Sequence, residues 1–110
     1  MNGEAMEKNT LRHRESPDYL SITREIVLKH IDSSHFRVFL FGSRACGNAR
    51  SNSDIDVGFL GDKPLGSDII AEIEFELDES IVPFQVDLVD FSRVDNNFRK
   101  MAMKKIVEWN

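Results

Sequence analysis

Residues 36–59 read FRVFLFGSRACGNARSNSDIDVGF, and the rest of the chain is organised around this stretch. An apolar run, Phe36 to Phe41, meets Gly42-Ser43. Ten residues, Arg44 to Ser53, then separate that pair from Asp54-Ile55-Asp56 at the head of a second apolar run. A third acid, Asp87, lies inside a third apolar run, Phe84 to Val89. Successive side chains of a strand point to opposite faces, so Asp54 and Asp56 project to one side while Ile55 and Val57 face the core. Two acids there, joined by one from a neighbouring strand, make a cluster of oxygen ligands that repels itself unless cations fill it.

The junction before these acids reads as a phosphate-receiving turn. Gly42 lets the backbone bend tightly and approach a ligand closely. Ser43 adds a hydroxyl and a backbone N–H, and a short helix over 43–48 would aim its free N–H groups at whatever sits above Gly42. The GK[ST] ending of the longer Walker loop is absent.

Working outward, Ser16-Pro17-Asp18 is a helix start, with Tyr19, Ile22 and Ile26 at helical spacing through about Asp32. Residues 1–15 are polar, without periodicity, and read as a disordered lead-in to a single domain over 16–110. The near-continuous apolar strand 36–41 suits a sheet covered on both faces. Asp54 to Leu60 is the second strand. A helix opened by Pro64 runs to about Ser80, burying Ile69, Ile70, Ile73 and Leu77. The third strand is Phe84 to Asp90, and a last helix is expected from about Val94 to Trp109, with Phe98, Met101, Ala102 and Ile106 inward. The order αβαβαβα gives an α/β (α+β) fold, a small sheet of about three or more strands flanked by helices.

Composition narrows the function classes. With 110 residues, 41% apolar content and eight Phe, the chain can bury the core of one domain, and no second domain for an acceptor is expected. Net charge is −5 and no basic run forms a duplex-binding stripe, so nucleic acid is not expected as the primary partner. One cysteine forms no internal disulfide, and no apolar run reaches the roughly 18 residues of a membrane span; a cytoplasmic protein is expected.

The GS, ten-residue, DxD arrangement with a later strand Asp resembles the nucleotidyltransferase superfamily related to DNA polymerase β. It is most similar to the minimal nucleotidyltransferase (MNT) branch, which is paired with HEPN-domain partners. The matching residues are Gly42, Ser43, Asp54, Asp56 and Asp87, and the similarity covers roughly residues 20–109. The resemblance implies a mixed sheet and a metal-dependent transfer of AMP from ATP to a hydroxyl of a HEPN-type toxin, this chain being the antitoxin. It implies two Mg²⁺ ions (or Mn²⁺) on Asp54, Asp56 and Asp87. These acids are then the catalytic residues, with Gly42, Ser43 and Arg44 around the triphosphate. Members often read GSRARG; Cys46 here replaces the second Arg, which puts the strength of that phosphate clamp in question.

Plainer readings stand beside these. Paired Asp residues can cap a turn through Ser51-Asn52-Ser53, Gly42-Ser43 can be a strand-to-helix turn, and Arg44 and Arg50 can be surface arginines. Asp87 and Asp90 are three apart and face opposite sides of a strand; Asp87, inside the apolar run, is chosen for the cluster, and Asp90 for the strand end. Cys46 reads as small and partly buried, His13, His30 and His35 as surface or cap residues, and the glutamates between 72 and 79 as a solvated helix face. A homo- or hetero-oligomer is compatible with the chain, and two rival functions remain: a non-catalytic MNT-like module that occludes its partner, and a small-molecule nucleotidyltransferase of the aminoglycoside type.

Overall fold

In the computed structural model, which describes residues 17–47, 49–50 and 52–110, the apolar run Phe36–Phe41 is strand β1. Only Arg37 of its six residues reaches solvent, as a strand covered on both faces requires. Around it, in chain order, lie α1 (Tyr19–Lys29), α2 (Ser43–Cys46), β2 (Ile55–Gly61), α3 (Ser67–Asp78), β3 (Val86–Asp90), α4 (Asn96–Ala102) and β4 (Val107–Glu108). The sheet order is β3-β2-β1-β4, with β2 and β3 parallel and β1 antiparallel to both β2 and β4. It is a mixed sheet flanked by helices. The α3 crossover is what allows β2 and β3 to run parallel.

Side-chain alternation sends two different cores to the two faces. Val38, Leu40, Ile55, Val57 and Phe59 pack under α1 and α3 with Ile26, Val27, Ile73 and Leu77. On the other face Phe39, Phe41 and Phe91 form an aromatic group against α4 and its flanks, Val94, Ala102, Met103 and Ile106. A Cβ on Gly58 would lie 2.3 Å from the Phe39 ring, so the close aromatic packing needs a glycine there.

Several boundaries differ from those expected. Asp18 caps α1 by accepting from the Ser21 N–H at 3.1 Å; Ser16 and the lead-in 1–15 lie outside the described residues. α1 stops at Lys29 with His30 as its C-cap, and α3 begins at Ser67, because Leu65 is drawn into the core and its N–H donates to Asp90 at 2.9 Å. β2 begins at Ile55 and β3 at Val86.

The largest correction concerns the C-terminal segment. A helix through Trp109 was expected; α4 ends at Ala102, and Val107–Glu108 pairs with Leu40 and Phe39 instead. The free edge of β1 explains this, since its buried backbone groups need partners. Trp109 N–H donates to Val38 O at 2.8 Å, and the Asn110 side chain accepts from Val38 N–H and donates to Phe36 O, both at 2.9 Å. Met101 and Phe98, expected inward, are 71% and 42% exposed. Among the described residues no helix is long and apolar enough to cross a membrane.

Candidate active site

Strand register places the acids. Asp56 of β2 lies opposite Phe41 of β1 on one side and Asp87 of β3 on the other. Residues paired across strands project to the same face, so the Asp56 and Asp87 carboxyls are neighbours. Asp54 sits one residue ahead of β2 and is exposed. Asp56 is half-buried, and its carboxyl is pushed above the usual carboxylate range. Burial is the main cause, followed by the Asp87 charge, a hydrogen bond shared with Asp87, and the Asp54 charge. Asp87 in turn accepts from Gln85 Nε2 at 3.3 Å.

Asp90 points the other way, opposite Phe59. It accepts from the Leu65 N–H and from both the N–H (3.0 Å) and hydroxyl (2.7 Å) of Ser92. Against the opposing effect of burial, these bonds and the nearby Arg93 hold its pKa below the usual range. It is a strand-end structural acid, and the choice of Asp87 over Asp90 for the cluster agrees with this geometry.

Gly42 adopts φ +76°, a left-handed conformation that favours glycine, and caps the short α2. A Cβ there would lie 2.3 Å from Asp56 Oδ2. The turn backbone therefore rests directly against the carboxylate, and any larger residue would displace it. Ser43 follows, exposed at the start of α2. The sequence thus brings Gly42, Ser43, Asp56 and Asp87 to one end of the sheet, with Asp54 at its edge.

Arg44 is directed elsewhere. Its Nη2 donates to Ser53 O at 2.6 Å and its Nε to the Ser53 and Asp54 carbonyls at 3.1 and 3.3 Å. Its guanidinium also lies 4.9 Å from the centre of the Phe84 ring. Planar, multi-donor and polarisable, an arginine suits this combination of forked bonding and stacking. It ties α2 to the backbone that delivers Asp54 and to the segment leading into β3. The sequence offers Ser53 only as a turn partner of the acids and gives no sign of Phe84 and Gln85 as supports; nothing local in the chain marks partners that meet only through the fold. Cys46 is exposed rather than partly buried, because α2 ends there. His30 contacts Glu76 (2.8 Å) and His35 lies 3.7 Å from Asp32 and Asp62, both away from the acids; His13 lies outside the described residues.

Among the described residues no group of three or more His, Cys, Asp or Glu encloses a metal position. The open, all-carboxylate set nevertheless fits a hard divalent cation. Mg²⁺ commonly takes one or two carboxylates and completes its shell with phosphate oxygens and water. A bound cation would also offset the repulsion that disfavours the charged form of Asp56.

A family profile described as Polymerase beta, Nucleotidyltransferase, matches residues 25–108. The chain belongs to the polymerase beta nucleotidyltransferase family. Over 72 residues this nucleotidyltransferase-family chain is 32% identical to the "Probable protein adenylyltransferase MntA" of Haemophilus influenzae; the match covers 66% of this chain and 63% of that relative's length. Among solved structures it is similar to a toxin–antitoxin crystal structure with AMP-PNP. That match has a TM-score of 0.65 at 22% identity and covers 84% of this chain and 73% of the other. A second match is a structure of the tri-AMPylated Shewanella oneidensis HEPN toxin in complex with MNT antitoxin. Its TM-score is 0.57 at 18% identity, covering 82% and 71% of the two chains. At these identities the structural likeness establishes the nucleotidyltransferase fold.

Proposed function

We propose that this chain moves AMP from ATP to a hydroxyl of a HEPN-domain partner protein, with Mg²⁺ as cofactor, as the antitoxin of a toxin–antitoxin pair in the cytoplasm. The observation that carries the reading is the register of Asp56 with Asp87 against the Gly42-Ser43 turn. Supporting it are the protein adenylyltransferase name of the Haemophilus relative and the AMP-PNP and AMPylated toxin in the similar structures.

Asp54, Asp56 and Asp87 would hold the cations, with Gly42 admitting the triphosphate to the backbone and the Ser43 hydroxyl donating to its outer phosphates. Divalent ions, when bound, supply charge compensation on the phosphates and a more acidic acceptor hydroxyl. The acceptor oxygen bonds to the α-phosphorus of ATP, the bond to the bridging oxygen of the β-phosphate breaks, and pyrophosphate leaves while the hydroxyl proton passes to solvent. The protein's task is positioning and electrostatics rather than covalent chemistry. Arg44 serves by fixing the 53–54 backbone through its Nε and Nη2 groups.

Incubating the chain with Mg²⁺, α-labelled ATP and a cognate HEPN protein tests the reading. Label on the partner, lost with Asp54→Asn plus Asp56→Asn, is expected; absence of label, or labelling untouched by the double substitution, overturns it. Cys46 in place of a second arginine, together with the engagement of Arg44, favours one alternative, a non-catalytic antitoxin acting by occlusion. Full neutralisation of the toxin by the double variant would select it.

A further inference from the structure

We propose that the apolar cleft between α2 and α4 receives the base of the donor nucleotide, an aromatic heterocycle; this rests on the nucleotidyltransferase reading above. The cleft has a volume of about 330 Å³ and is lined by Phe41, Gly42, Cys46, Phe98, Met101 and Lys105, among others. That volume is within the usual range for small-ligand sites.

Its position follows from the sheet. Phe41 flanks Asp56 on the β1 side and Asp87 flanks it on the β3 side, so the cleft and Asp87 lie to opposite sides of Asp56. Gly42 belongs to both the cleft and the acid cluster, since its Cα abuts Asp56. A molecule with phosphates at the acids therefore reaches the cleft across Gly42 without interruption, while the Asp87 side stays clear for the acceptor.

The lining chemistry points to a flat, neutral aromatic group. In a chain of net charge −5, the described residues that line the cleft include no carboxylate and one cation, Lys105. Phe39, Phe41 and Phe91 on this face are buried, whereas Phe98 and Met101 keep 42% and 71% of their surface in water. The Phe98 ring is held edge-on by Phe41, with centroids 6.2 Å apart, and lies 5.7 Å from Phe91. An aromatic ring fixed from behind and open in front is a stacking platform for a base.

The test compares MgATP with magnesium tripolyphosphate, which has the phosphates and lacks the base, by binding measurements on the full chain. Phe98→Ala and Met101→Ala alter exposed side chains without changing charge, and circular dichroism checks that both variants keep the fold. Each is expected to weaken ATP binding about 10-fold, from the stacking a base loses on such a change, and to leave tripolyphosphate binding unchanged. Cys46, the chain's single cysteine, gives a reading without mutation: MgATP should slow its alkylation by iodoacetamide and tripolyphosphate should not. Unchanged ATP affinity in both variants, with alkylation indifferent to ATP, overturns the proposal alone. Variants that bind ATP normally but no longer bind the HEPN protein would give the cleft to the partner and also overturn it. A wild-type chain that binds neither ATP nor tripolyphosphate overturns the parent reading, and this one with it.

Discussion

On the face under α1 and α3, Val27, Val38, Ile55, Val57 and Ile73 are fully buried, and the side chains are mainly aliphatic. The opposite face begins in the same way, with Phe39 and Phe91 fully buried, and then ends in Asp56 and Asp87. Helix length accounts for the contrast. α3 has 12 residues and α4 only seven, so they span about 18 and 10 Å at 1.5 Å per residue. The shorter helix covers the aromatic group and leaves the carboxylate end of the face open. One face is a closed core, and the other carries its buried aromatic group up to charged groups that a ligand can reach.

The strongest challenge to this division is truncation on the covered face. Phe59→Ala, at a side chain 1% exposed, should destabilise by about 3–5 kcal/mol, read from denaturant midpoints. A loss under about 1 kcal/mol would show that the covered face is not close-packed around Phe59.

A finer cut uses two acids three residues apart. Asp90→Ala removes the acceptor for Leu65 N–H and Ser92, and should cost about 1–3 kcal/mol. Asp87→Asn, on the open face, should leave stability unchanged or slightly raised while the proposed AMP transfer fails. Equal destabilisation by both would erase the distinction between the faces.

The smallest effect has the opposite sign. The Asp56 pKa is raised in the folded chain, through burial first and then Asp87 and Asp54, so the native state holds its proton more tightly than the unfolded state does. Any stability this group adds is present below the ordinary carboxylate pKa and is lost as pH rises through the folded value. Asp56→Asn is free of that loss. Its melting temperature should match wild type near pH 4 and exceed it by a few degrees at pH 7, in metal-free buffer, by differential scanning calorimetry. A variant less stable than wild type at pH 7 would contradict the proposed electrostatic cost.

Much of this was legible in the chain because the deciding signals are local. The apolar run 36–41 is β1 to the residue, since nothing within it competes with strand pairing. Alternation puts Asp87 and Asp90 on opposite faces and the apolar run around Asp87 selects it for the cluster, while the Gly42-Ser43 turn announces itself through its spacing from Asp54. What escaped depends on contacts distant in sequence. Val107–Glu108 is a strand because the edge of β1 lacks partners, and no periodicity in six residues reveals that. The carbonyl and aromatic partners of Arg44 are adjacent to it only after folding. Phe98 and Met101 looked inward because a longer helix was assumed; once α4 ends at Ala102, the same spacing leaves them at a cleft.

Retention of cations by the open-face carboxylates is tested most directly with Mn²⁺, whose free ion gives a paramagnetic resonance signal that disappears on binding. Titrating Mn²⁺ into the chain with AMP-PNP should show about two ions taken up per chain, as two-metal transfer sites require, and a clear loss of uptake in Asp56→Asn. A free-ion signal undiminished by the wild-type chain, or equal uptake by the variant, would contradict the assignment of Asp54, Asp56 and Asp87 as the site's metal ligands.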